Sequence, residues 1–371
     1  MKTLKAVVLG AGGFIGGHLC QRLLKQGYKV RGVDRKFNPY WRMDGIEFII
    51  GDLRNIDVVD TVIDYEVDEV YQLAAEMGGA GYIFTGKHDA DIFSNSALIN
   101  LNVASVAIRK KVKKIFYSSS ACVYSSEYQS SERVNKLSES MAYPADPDSN
   151  YGWEKLLSER LYMAYAENYG LNVRIARFHN IYGPESDFYT GREKAPAAIC
   201  RKVILAGKVN PLDYNDDPLG LRDGVKENYI NIWGSGNQIR SFLYIDDCLD
   251  AIELLMKSNC QGPINIGSEE AVTINQLAEI AIDISCNKIK VKHIDGPIGV
   301  NGRCSDNTLI NDVLGWQPKV SLREGMKHLH DWMYVYLCTM KLSYEGADGN
   351  IRRFYIDEST PGVQKRIEIM L

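Results

Sequence analysis

The chain has 371 residues, of which 45% are hydrophobic and 24% charged, and its formal net charge at pH 7 is −4. The length is better suited to two lobes than to one small core, and the composition is typical of globular proteins. The charge excludes the strongly basic surface of a nucleic-acid-binding protein. No apolar run approaches the length of a membrane span, so we expect neither nucleic acid nor membrane as a partner.

Eight cysteines are scattered along the chain without a CxxC pair, and no His/Cys cluster has the spacing of a zinc site. We therefore expect no metal. The opening stretch MKTLKAVVLGAGG has one short apolar run that leads straight into glycines, unlike a signal peptide. These features predict a soluble cytoplasmic protein with reduced thiols.

The first half of the chain alternates strand-like and helical patterns. Short, nearly continuous apolar runs predict parallel strands covered on both faces. They are Lys5–Leu9, Lys29–Asp34, Glu47–Ile50, Glu69–Leu73, Lys114–Ser118 and Asn172–Phe178. One helix is predicted between the first two strands, ending near Gly27, and another over Asn150–Tyr169 with Gly170 beyond it. The alternation predicts a Rossmann-type, doubly wound α/β sheet.

The second half is less regular. Residues 205–230 have no clear periodicity and predict a long loop or a small insertion, whereas 233–257 predicts a loop, a strand and a helix. The tail after residue 340 is polar and weakly patterned. We assign residues 1–180 to a dinucleotide-binding Rossmann domain, to which 237–268 returns. The remaining residues, 181–236 and 269–371, are assigned to a smaller C-terminal substrate-binding lobe.

A glycine-rich loop, GAGGFIG, follows the first strand and opens the first helix. Gly10, Gly13 and Gly16 allow a tight turn and a close approach of backbone to a pyrophosphate, which the helix N-terminus can bind. Asp34 ends the second strand, where a carboxylate binds the ribose hydroxyls of NAD and repels the extra phosphate of NADP. The Arg-Lys pair that follows it softens this preference. The cofactor predicted from the sequence is therefore NAD.

The full predicted cofactor set extends from this loop to the ends of the later strands. It consists of Gly10, Gly13, Phe14, Ile15, Gly16, Asp34, Asp52, Leu53, Leu73, Ala74, Tyr151 and Lys155. For Asp52, in GDLR at the end of the third strand, a turn residue and an adenine contact are equally compatible with the sequence.

Tyr151 and Lys155 stand four residues apart on the predicted helix, so both side chains lie on one face. A nearby ammonium favours the phenolate, which predicts a lowered pKa for Tyr151 and a base for a sugar hydroxyl. Ser120, at the end of a strand, can hydrogen-bond the same hydroxyl. Together with the cofactor loop, these residues predict hydride transfer from a hydroxyl group to NAD.

Longer stretches resemble the GDP-mannose 3,5-epimerases, a family of the extended short-chain dehydrogenase/reductase superfamily. They are LAAEMGGAGYI (73–83), YSSSACVY (117–124), RFHNIYGP (177–184), GREKAPAAICRK (191–202), WGSGNQIRSF (233–242), PINIGSEE (263–270) and GPIGVNGRCSDN (296–307). The resemblance covers residues 4–335. The chain departs from the family at Asn301, where arginine is expected, at Cys304, where asparagine is expected, and in a longer connection over 205–230.

The resemblance implies an NAD-dependent isomerase of a nucleotide-activated sugar. The implied substrate is GDP-mannose, inverted at C3, C5 or both toward GDP-L-galactose or GDP-L-gulose after transient oxidation at C4. The family's catalytic tyrosine and lysine fall on Tyr151 and Lys155, and its two residues that move protons at carbon fall on Cys122 and Lys194. The implied substrate contacts are Gly78, Ser120, Ala121, Cys122, Asn180, Glu193, Lys194, Ala195, Lys202, Gln238, Ile239, Arg240 and Arg303.

The chemistry of these residue types agrees with the resemblance. A ketone at C4 makes the hydrogens at C3 and C5 acidic, and inversion needs a base on one face and an acid on the other. Cys122 lies two residues beyond Ser120, which on a strand predicts the same side for both side chains. Lys194 can deliver the proton from the opposite face. Arg240 and Arg303 suit a diphosphate because the guanidinium fork binds oxygens bidentately.

Other functions stay open on the sequence alone. An NADPH-dependent GDP-sugar epimerase–reductase of the GDP-fucose synthase kind also uses a cysteine beside the catalytic serine, although Asp34 argues against NADPH. In an NAD-dependent nucleotide-sugar 4-epimerase, Cys122 would be incidental. A 4,6-dehydratase is disfavoured because no carboxylate follows Ser120. A nucleotide-sensing protein on the same fold would bind cofactor without turnover. By analogy with this fold we expect a homodimer.

Overall fold

The computed structural model of the chain describes residues 3–38, 40, 43–130, 135–207, 221–226, 228–344 and 352–356. Its strands are β1 (Lys5–Leu9), β2 (Lys29–Asp34), β3 (Glu47–Ile50), β4 (Glu69–Gln72), β5 (Lys114–Ser120), β6 (Lys136–Leu137), β7 (Val173–Phe178), β8 (Ile181–Tyr182), β9 (Val225–Lys226), β10 (Tyr229–Trp233), β11 (Ile239–Ser241), β12 (Leu243–Tyr244), β13 (Pro263–Ile266), β14 (Ala271–Thr273), β15 (Lys290–Ile294), β16 (Gly302–Ser305), β17 (Met340–Tyr344) and β18 (Arg352–Ile356). Its α-helices are α1 (Phe14–Lys25), α2 (Ile56–Val62), α3 (Ala80–Ile83), α4 (Asp89–Arg109), α5 (Asn150–Tyr169), α6 (Ala195–Ala206), α7 (Ile245–Lys257), α8 (Ile274–Ser285), α9 (Thr308–Leu314) and α10 (Leu322–Thr339). Short 3-10 helices cover Ala121–Val123, Ser126–Gln129 and Glu139–Ala142.

A parallel sheet of seven strands forms the centre of the molecule, in the order β13-β7-β5-β4-β1-β2-β3. The predicted doubly wound α/β fold is confirmed. The predicted strands differ from the observed ones by at most two residues at either end: β4 stops at Gln72, β5 continues to Ser120 and β7 begins at Val173.

Helices cover both faces of this sheet, which is why its strands are apolar along most of their length. Ala6 and Val8 of β1 belong to a core that includes α1, α6, α7 and α8. Val7 and Leu9 of the same strand belong to a second core with α2, α4 and α5 on the opposite face. In the part of the chain described here, no helix combines the length and apolar character that crossing a membrane requires.

Helix α5 has the ends that the sequence predicted. The hydroxyl of Ser149 accepts a hydrogen bond from the Gly152 N–H at 3.2 Å, which caps the first turn. Gly170 ends the helix with φ +72°, a conformation that glycine adopts without strain. Tyr151 and Lys155 lie on the buried face, because residues four apart share one side of a helix.

The second half of the chain builds smaller sheets and also returns to the central one. Strand β13 pairs with β7, whereas β11 pairs with β14 and β16 in a four-stranded sheet of order β14-β11-β16-β6. Of the irregular segment 205–230, residues 208–220 and 227 lie outside the described residues. In the tail, β17 and β18 pair antiparallel, and residues 345–351 and 357–371 lie outside the described residues.

Candidate active site

A cavity of about 430 Å³ lies where β1, β2, β4 and β5 end at their carboxyl edge. All twelve residues of the predicted cofactor set line it. Ser120, Glu193 and Lys194, from the predicted substrate set, line it as well. Open α/β sheets bind ligands at this edge, so the topology and the predicted residues indicate the same place.

The glycine loop at this cavity leaves space that any side chain would fill. A Cβ at Gly10, where φ is +88°, would lie 2.8 Å from the backbone nitrogen of Ala74. A Cβ at Gly16 would lie 2.1 Å from the carbonyl oxygen of Gly10. Gly13 immediately precedes α1. This cradle of bare backbone at a helix N-terminus fits the diphosphate of a dinucleotide.

Asp34 lies at the end of β2, as predicted, and its carboxylate is tied to the loop. It accepts hydrogen bonds from the backbone N–H of Gly12 at 3.0 Å and of Arg35 at 2.7 Å. Burial raises the pKa of this carboxyl, and the backbone hydrogen bonds oppose the shift. Gly12 also lines the cavity and was not among the predicted cofactor residues. A side chain there is excluded, because its Cβ would lie 2.1 Å from the carbonyl oxygen of Lys36.

Asp52 follows β3, which ends at Ile50 as predicted, by two residues. Its carboxylate accepts a hydrogen bond from Nη2 of Arg54 at 2.5 Å. Hydrogen bonding to Arg54 lowers the pKa of Asp52. The residue therefore lines the cavity as one member of an ion pair.

Tyr151, Lys155 and Ser120 meet at the end of β5. The Nζ of Lys155 donates to the carbonyl oxygen of Ser118 at 2.9 Å and lies 5.7 Å from the centroid of the Tyr151 ring. The oxygen of Ser120 accepts a hydrogen bond from the Cys122 N–H at 3.2 Å. The structure thus brings together the three residues predicted for hydride transfer from a hydroxyl.

The predicted lowering of the Tyr151 pKa by Lys155 is wrong for this structure. Burial raises the pKa of Tyr151, and this effect exceeds the opposing ones of a hydrogen bond with Ser120 and the charge of Arg303. Burial also lowers the pKa of Lys155. Desolvation, which sequence spacing does not reveal, therefore sets both directions.

Cys122 lies beside Tyr151 because of a turn after β5 that the sequence did not predict. Strand β5 ends at Ser120, and Ala121–Val123 form a 3-10 turn, so the predicted strand alternation between Ser120 and Cys122 is wrong. Instead, α5 lies against this turn, and Cys122 packs in one buried cluster with Tyr151 and Tyr82.

Arg303 has partners that the sequence did not predict. Its guanidinium is buried, and Nη1 donates to the sulfur of Cys122 at 3.0 Å. Nη2 donates to Asp148 and Nε to Gln129, each at 2.5 Å. All three guanidinium nitrogens thus contact side chains of the protein itself: Cys122, Asp148 and Gln129. Asp148 and Gln129 belong to no motif, which is why the sequence did not identify them.

Arg240 lies beside Arg303 as its register partner across β11 and β16. Its guanidinium donates to backbone carbonyls, among them Ile298 at 3.1 Å and Val300 at 2.6 Å. Burial lowers the pKa of Arg240 to about 10, and the charge of Arg303 contributes to the shift. Two adjacent cations repel each other, so an anion beside them would be stabilised.

Lys194 immediately precedes α6, at the end of a loop that is held by glycine contacts. The N–H of Gly79 donates to the carbonyl of Arg192 at 2.8 Å, and a Cβ at Gly79 would lie 2.2 Å from the carbonyl oxygen of Glu193. Burial lowers the pKa of Lys194, while the nearby Cys122 opposes the shift. The loop therefore brings an amine to the same site as Cys122.

Glu76 is a further charged residue of the cavity that the sequence did not single out. Its carboxylate accepts hydrogen bonds from Nη1 of Arg192 at 2.9 Å, from Nη2 of Arg35 at 3.2 Å and from the phenol of Tyr82 at 2.8 Å. Arg35 follows Asp34, and Arg192 belongs to the loop before Lys194. Glu76 therefore connects the cofactor side of the cavity with the loop that carries Lys194.

Ten of the predicted substrate contacts are not among the residues that line this cavity. They are Cys122, Arg240 and Arg303, described above, and Gly78, Ala121, Asn180, Ala195, Lys202, Gln238 and Ile239. Several of their side chains bind backbone carbonyls: Asn180 donates to Ser241 at 3.0 Å and Lys202 to Asn231 at 2.9 Å.

A family profile and curated relatives match most of this chain and show the family to which it belongs. The sequence profile of the NAD dependent epimerase/dehydratase family matches residues 6–267. The chain is 40% identical to GDP-mannose 3,5-epimerase 1 of Oryza sativa subsp. indica over 334 residues, which are 90% of this chain and 82% of the rice protein. It is 37% identical to GDP-mannose 3,5-epimerase of Arabidopsis thaliana over 371 residues, which are 99% of this chain and 91% of that protein.

The match to the Arabidopsis protein covers 99% of this chain and so extends beyond residues 4–335, the range of the resemblance predicted from the sequence. Among solved structures, UDP-glucose 4-epimerase of Thermotoga maritima with UDP-glucose matches with a TM-score of 0.76 at 24% identity, over 90% of this chain and 100% of that one. That likeness shows the fold. NAD is the cofactor of this chain, and the glycine cradle and Asp34 fit it. The chain belongs to the NAD dependent epimerase/dehydratase family.

Proposed function

We propose that the chain epimerises GDP-mannose at C3, C5 or both, toward GDP-L-galactose or GDP-L-gulose, after transient oxidation at C4. The relatives at 37–40% identity carry the name GDP-mannose 3,5-epimerase. The observation that carries the proposal is the contact of Cys122 with Arg303 at 3.0 Å beside Tyr151. A cation beside a thiol favours its thiolate, which is a competent base for carbon; transfer of hydride at C4 alone requires no such base.

Each proposed role follows from a position in the site. NAD, held by the glycine loop and Asp34, would supply the acceptor for the hydride from C4. Tyr151 takes the proton of the C4 hydroxyl, with Ser120 hydrogen-bonded to the same oxygen and Lys155 held beneath by the Ser118 carbonyl. Cys122 removes the proton from carbon next to the ketone, and Lys194 delivers one from the opposite face.

The diphosphate of the substrate is assigned first to Arg240. Its N–H groups donate to the backbone carbonyls of Ile239, Ile298 and Val300. Exchanging a neutral carbonyl for a phosphate oxygen strengthens a guanidinium hydrogen bond. The other substrate contacts implied by the resemblance, from Gly78 to Arg303, stay part of the proposal.

Turnover of GDP-mannose in heavy water tests the proposal directly. We expect deuterium at C3, C5 or both, located by NMR, since a proton exchanged with solvent must return to carbon. A 4-epimerase breaks no carbon–hydrogen bond beside the ketone, so turnover without label would leave 4-epimerisation as the function. A stoichiometric demand for NADPH would indicate the epimerase–reductase, and cofactor binding without any turnover would indicate a nucleotide sensor.

Two variants test which residues introduce deuterium into the sugar. Cys122→Ser keeps the shape of the side chain but replaces the thiol by a far weaker acid, so exchange into the sugar should collapse. Lys194→Ala should suppress inversion more than the first oxidation at C4. In both variants the transient reduction of bound NAD should survive, because Tyr151 and Lys155 are unchanged. Label that persists in Cys122→Ser would remove Cys122 from the reaction.

We further propose a homodimer through helices α4 and α5. These helices pack against each other and expose apolar side chains: Leu98 and Leu101 on α4 are 43% and 48% exposed, and Trp153 and Leu157 on α5 are 42% and 48% exposed. A second copy would bury this surface as a four-helix arrangement. Leu157→Glu should give a monomer by light scattering, whereas Leu254→Glu on α7 should not; a Leu157→Glu dimer would refute the interface.

The domain division and the location are also proposals. A Rossmann domain of residues 1–180, to which 237–268 returns, is supported by β13 of that segment, which lies in the central sheet. The rest, 181–236 and 269–371, then makes the substrate-binding lobe. A cytoplasmic location is supported by the eight cysteines, all of which are free thiols.

A further inference from the structure

Cys122 lies among several cations that come from separate elements. Arg303 on β16 donates to its sulfur, and Lys155 on α5, Lys194 before α6 and Arg240 on β11 are electrostatic neighbours of Cys122. Among the described residues, the other ionisable groups near it include the phenols of Tyr151 and Tyr82 and the carboxylate of Asp148, which pairs with Arg303. Among these groups, the direct hydrogen bond to the sulfur comes from Arg303.

The guanidinium of Arg303 is held in place by two buried side chains. Asp148 binds Nη2, and the side chains of this ion pair are 7% and 6% exposed. Gln129 binds Nε, and its own amide nitrogen donates to the carbonyls of Tyr124 and Ser125 at 3.0 and 3.2 Å. These two bonds fix the orientation of the Gln129 amide, so its oxygen must face Arg303. The remaining nitrogen of Arg303, Nη1, then donates one of its N–H groups to the sulfur of Cys122.

A fixed guanidinium N–H distinguishes the two forms of the sulfur. A neutral thiol is a weak acceptor, whereas a thiolate forms a charge-assisted hydrogen bond about twice as strong as a neutral one. Asp148 balances the charge of Arg303. The stabilisation of the thiolate therefore depends on the N–H of Arg303 that donates to the sulfur as well as on net charge. Nothing in this arrangement requires a bound sugar.

We propose that Arg303 is a positioning residue for Cys122, which it holds as the thiolate before the sugar binds, with Asp148 and Gln129 orienting its guanidinium. The inference rests on the proposed function, because it assigns Cys122 as the base at carbon. It gives Arg303 a role in addition to any contact with the diphosphate, and it makes Asp148 and Gln129 necessary without contact to the sugar.

The test measures the thiolate, not turnover. In a background with the exposed Cys286 and Cys338 replaced by serine, the ultraviolet absorbance of the thiolate at neutral pH is compared with and without Cys122→Ser. The alkylation rate of Cys122 by iodoacetamide is followed by mass spectrometry. Arg303→Gln should lower thiolate absorbance and slow alkylation by about tenfold, the lower end of the effect of losing a charge-assisted hydrogen bond.

Three further variants test whether the hydrogen bond from Arg303, and not its charge alone, stabilises the thiolate. Arg303→Gln with Asp148→Asn removes both charges together, so it avoids a buried unpaired carboxylate and leaves net charge unchanged; we expect the same loss. Arg303→Lys should restore part of the thiolate. Arg240→Gln, the matched control, removes a neighbouring cation that has no hydrogen bond to the sulfur and should change the alkylation rate by less than about threefold.

The outcomes separate this inference from the proposed function. Unchanged thiolate absorbance and alkylation in the double variant, with folding confirmed by circular dichroism, would overturn the positioning role even if deuterium enters the sugar at C3 or C5. An equal loss in Arg240→Gln would also overturn it, since general electrostatics would then suffice. A thiolate that depends on Arg303, without any label in the sugar, would support the inference and refute the proposed reaction.

Discussion

Gly152, the residue after Tyr151, lies directly against the backbone of Cys122. A Cβ at Gly152 would lie 2.1 Å from the carbonyl oxygen of Cys122 and 2.9 Å from the side chain of Pro147. Only a bare backbone allows helix α5 to approach the turn after β5 so closely. This contact sets the distance between the proposed base for the C4 hydroxyl and the proposed base for carbon.

Gly152→Ala should therefore damage catalysis although alanine favours helices. Helix propensity alone gains about 1 kcal/mol, but the new Cβ must push α5 away from Cys122. We expect turnover to fall by about 10²-fold, as for other displacements of about 1 Å in an active site. Gly262→Ala is the control, because no atom lies within 4 Å of its Cβ position. Wild-type turnover in Gly152→Ala, measured by NMR, would show that the contact is dispensable.

Tyr151→Phe should abolish the transient oxidation at C4 while substrate binding stays nearly intact. The phenol oxygen is the proton acceptor, and the ring of phenylalanine still fills its space. Loss of general-base catalysis should cost about 10²–10⁴ in rate. Rapid reduction of bound NAD, followed by absorbance, measures this step. Tyr165→Phe on the same helix is the control, and a Tyr151→Phe variant with normal rates would place the base elsewhere.

Acid should destabilise the protein through His179. This residue is fully buried, its Nε2 lies 3.0 Å from Oδ1 of Asn265, and burial lowers the pKa of His179 from 6.5 to about 3. Between these two values the unfolded chain binds more protons than the folded one. The free energy of unfolding therefore falls as pH drops through this window, by up to about 1.4 kcal/mol per pH unit for this group.

Urea unfolding between neutral pH and about pH 4 measures this slope. His179→Gln should flatten it, because the group that titrates differently in the two states is gone. His293→Gln, at an exposed histidine, should leave it unchanged. His18, whose pKa burial lowers to about 4, adds a slope of the same sign in both variants. Equal slopes in wild type and His179→Gln would contradict the assignment.

Glu76→Gln should weaken retention of NAD. It removes the carboxylate that joins Arg35 and Arg192 across the cavity, and each of these partly exposed pairs is worth about 0.2–1 kcal/mol. We expect the dissociation constant of NAD to rise about two- to tenfold. Raised salt should weaken binding by the wild type in the same direction. The bound nucleotide is measured after gel filtration and denaturation.

The control for this prediction is Glu66→Gln, whose exposed carboxylate lies 3.9 Å from Lys5 and is not among the groups that line the cavity. It should retain NAD like the wild type. The same measurement identifies the nucleotide, which should be NAD and not NADP because of Asp34. Unaltered retention in Glu76→Gln would show that the two arginines contribute nothing to holding the cofactor.

Several features of the fold could be predicted because they depend on neighbouring residues. The ends of α5 follow from a capping serine and a left-handed glycine within a few positions of the helix. The strands of the central sheet follow from short apolar runs, since burial on both faces leaves that pattern. The side of the sheet on which Cys122 lies could not be predicted in this way, because the backbone turns directly after Ser120 and strand periodicity ends there.

The sequence by itself determined the α/β fold, the place of the glycine loop and Asp34, and the shared helix face of Tyr151 and Lys155. These depend on spacing along the chain and on backbone limits of single residues. Only the tertiary structure decided that Arg303 contacts Cys122, 181 positions away, and Asp148, 155 positions away. It also decided the direction of the Tyr151 pKa, because that direction depends on how much water the fold removes from the phenol, and desolvation is a property of packing.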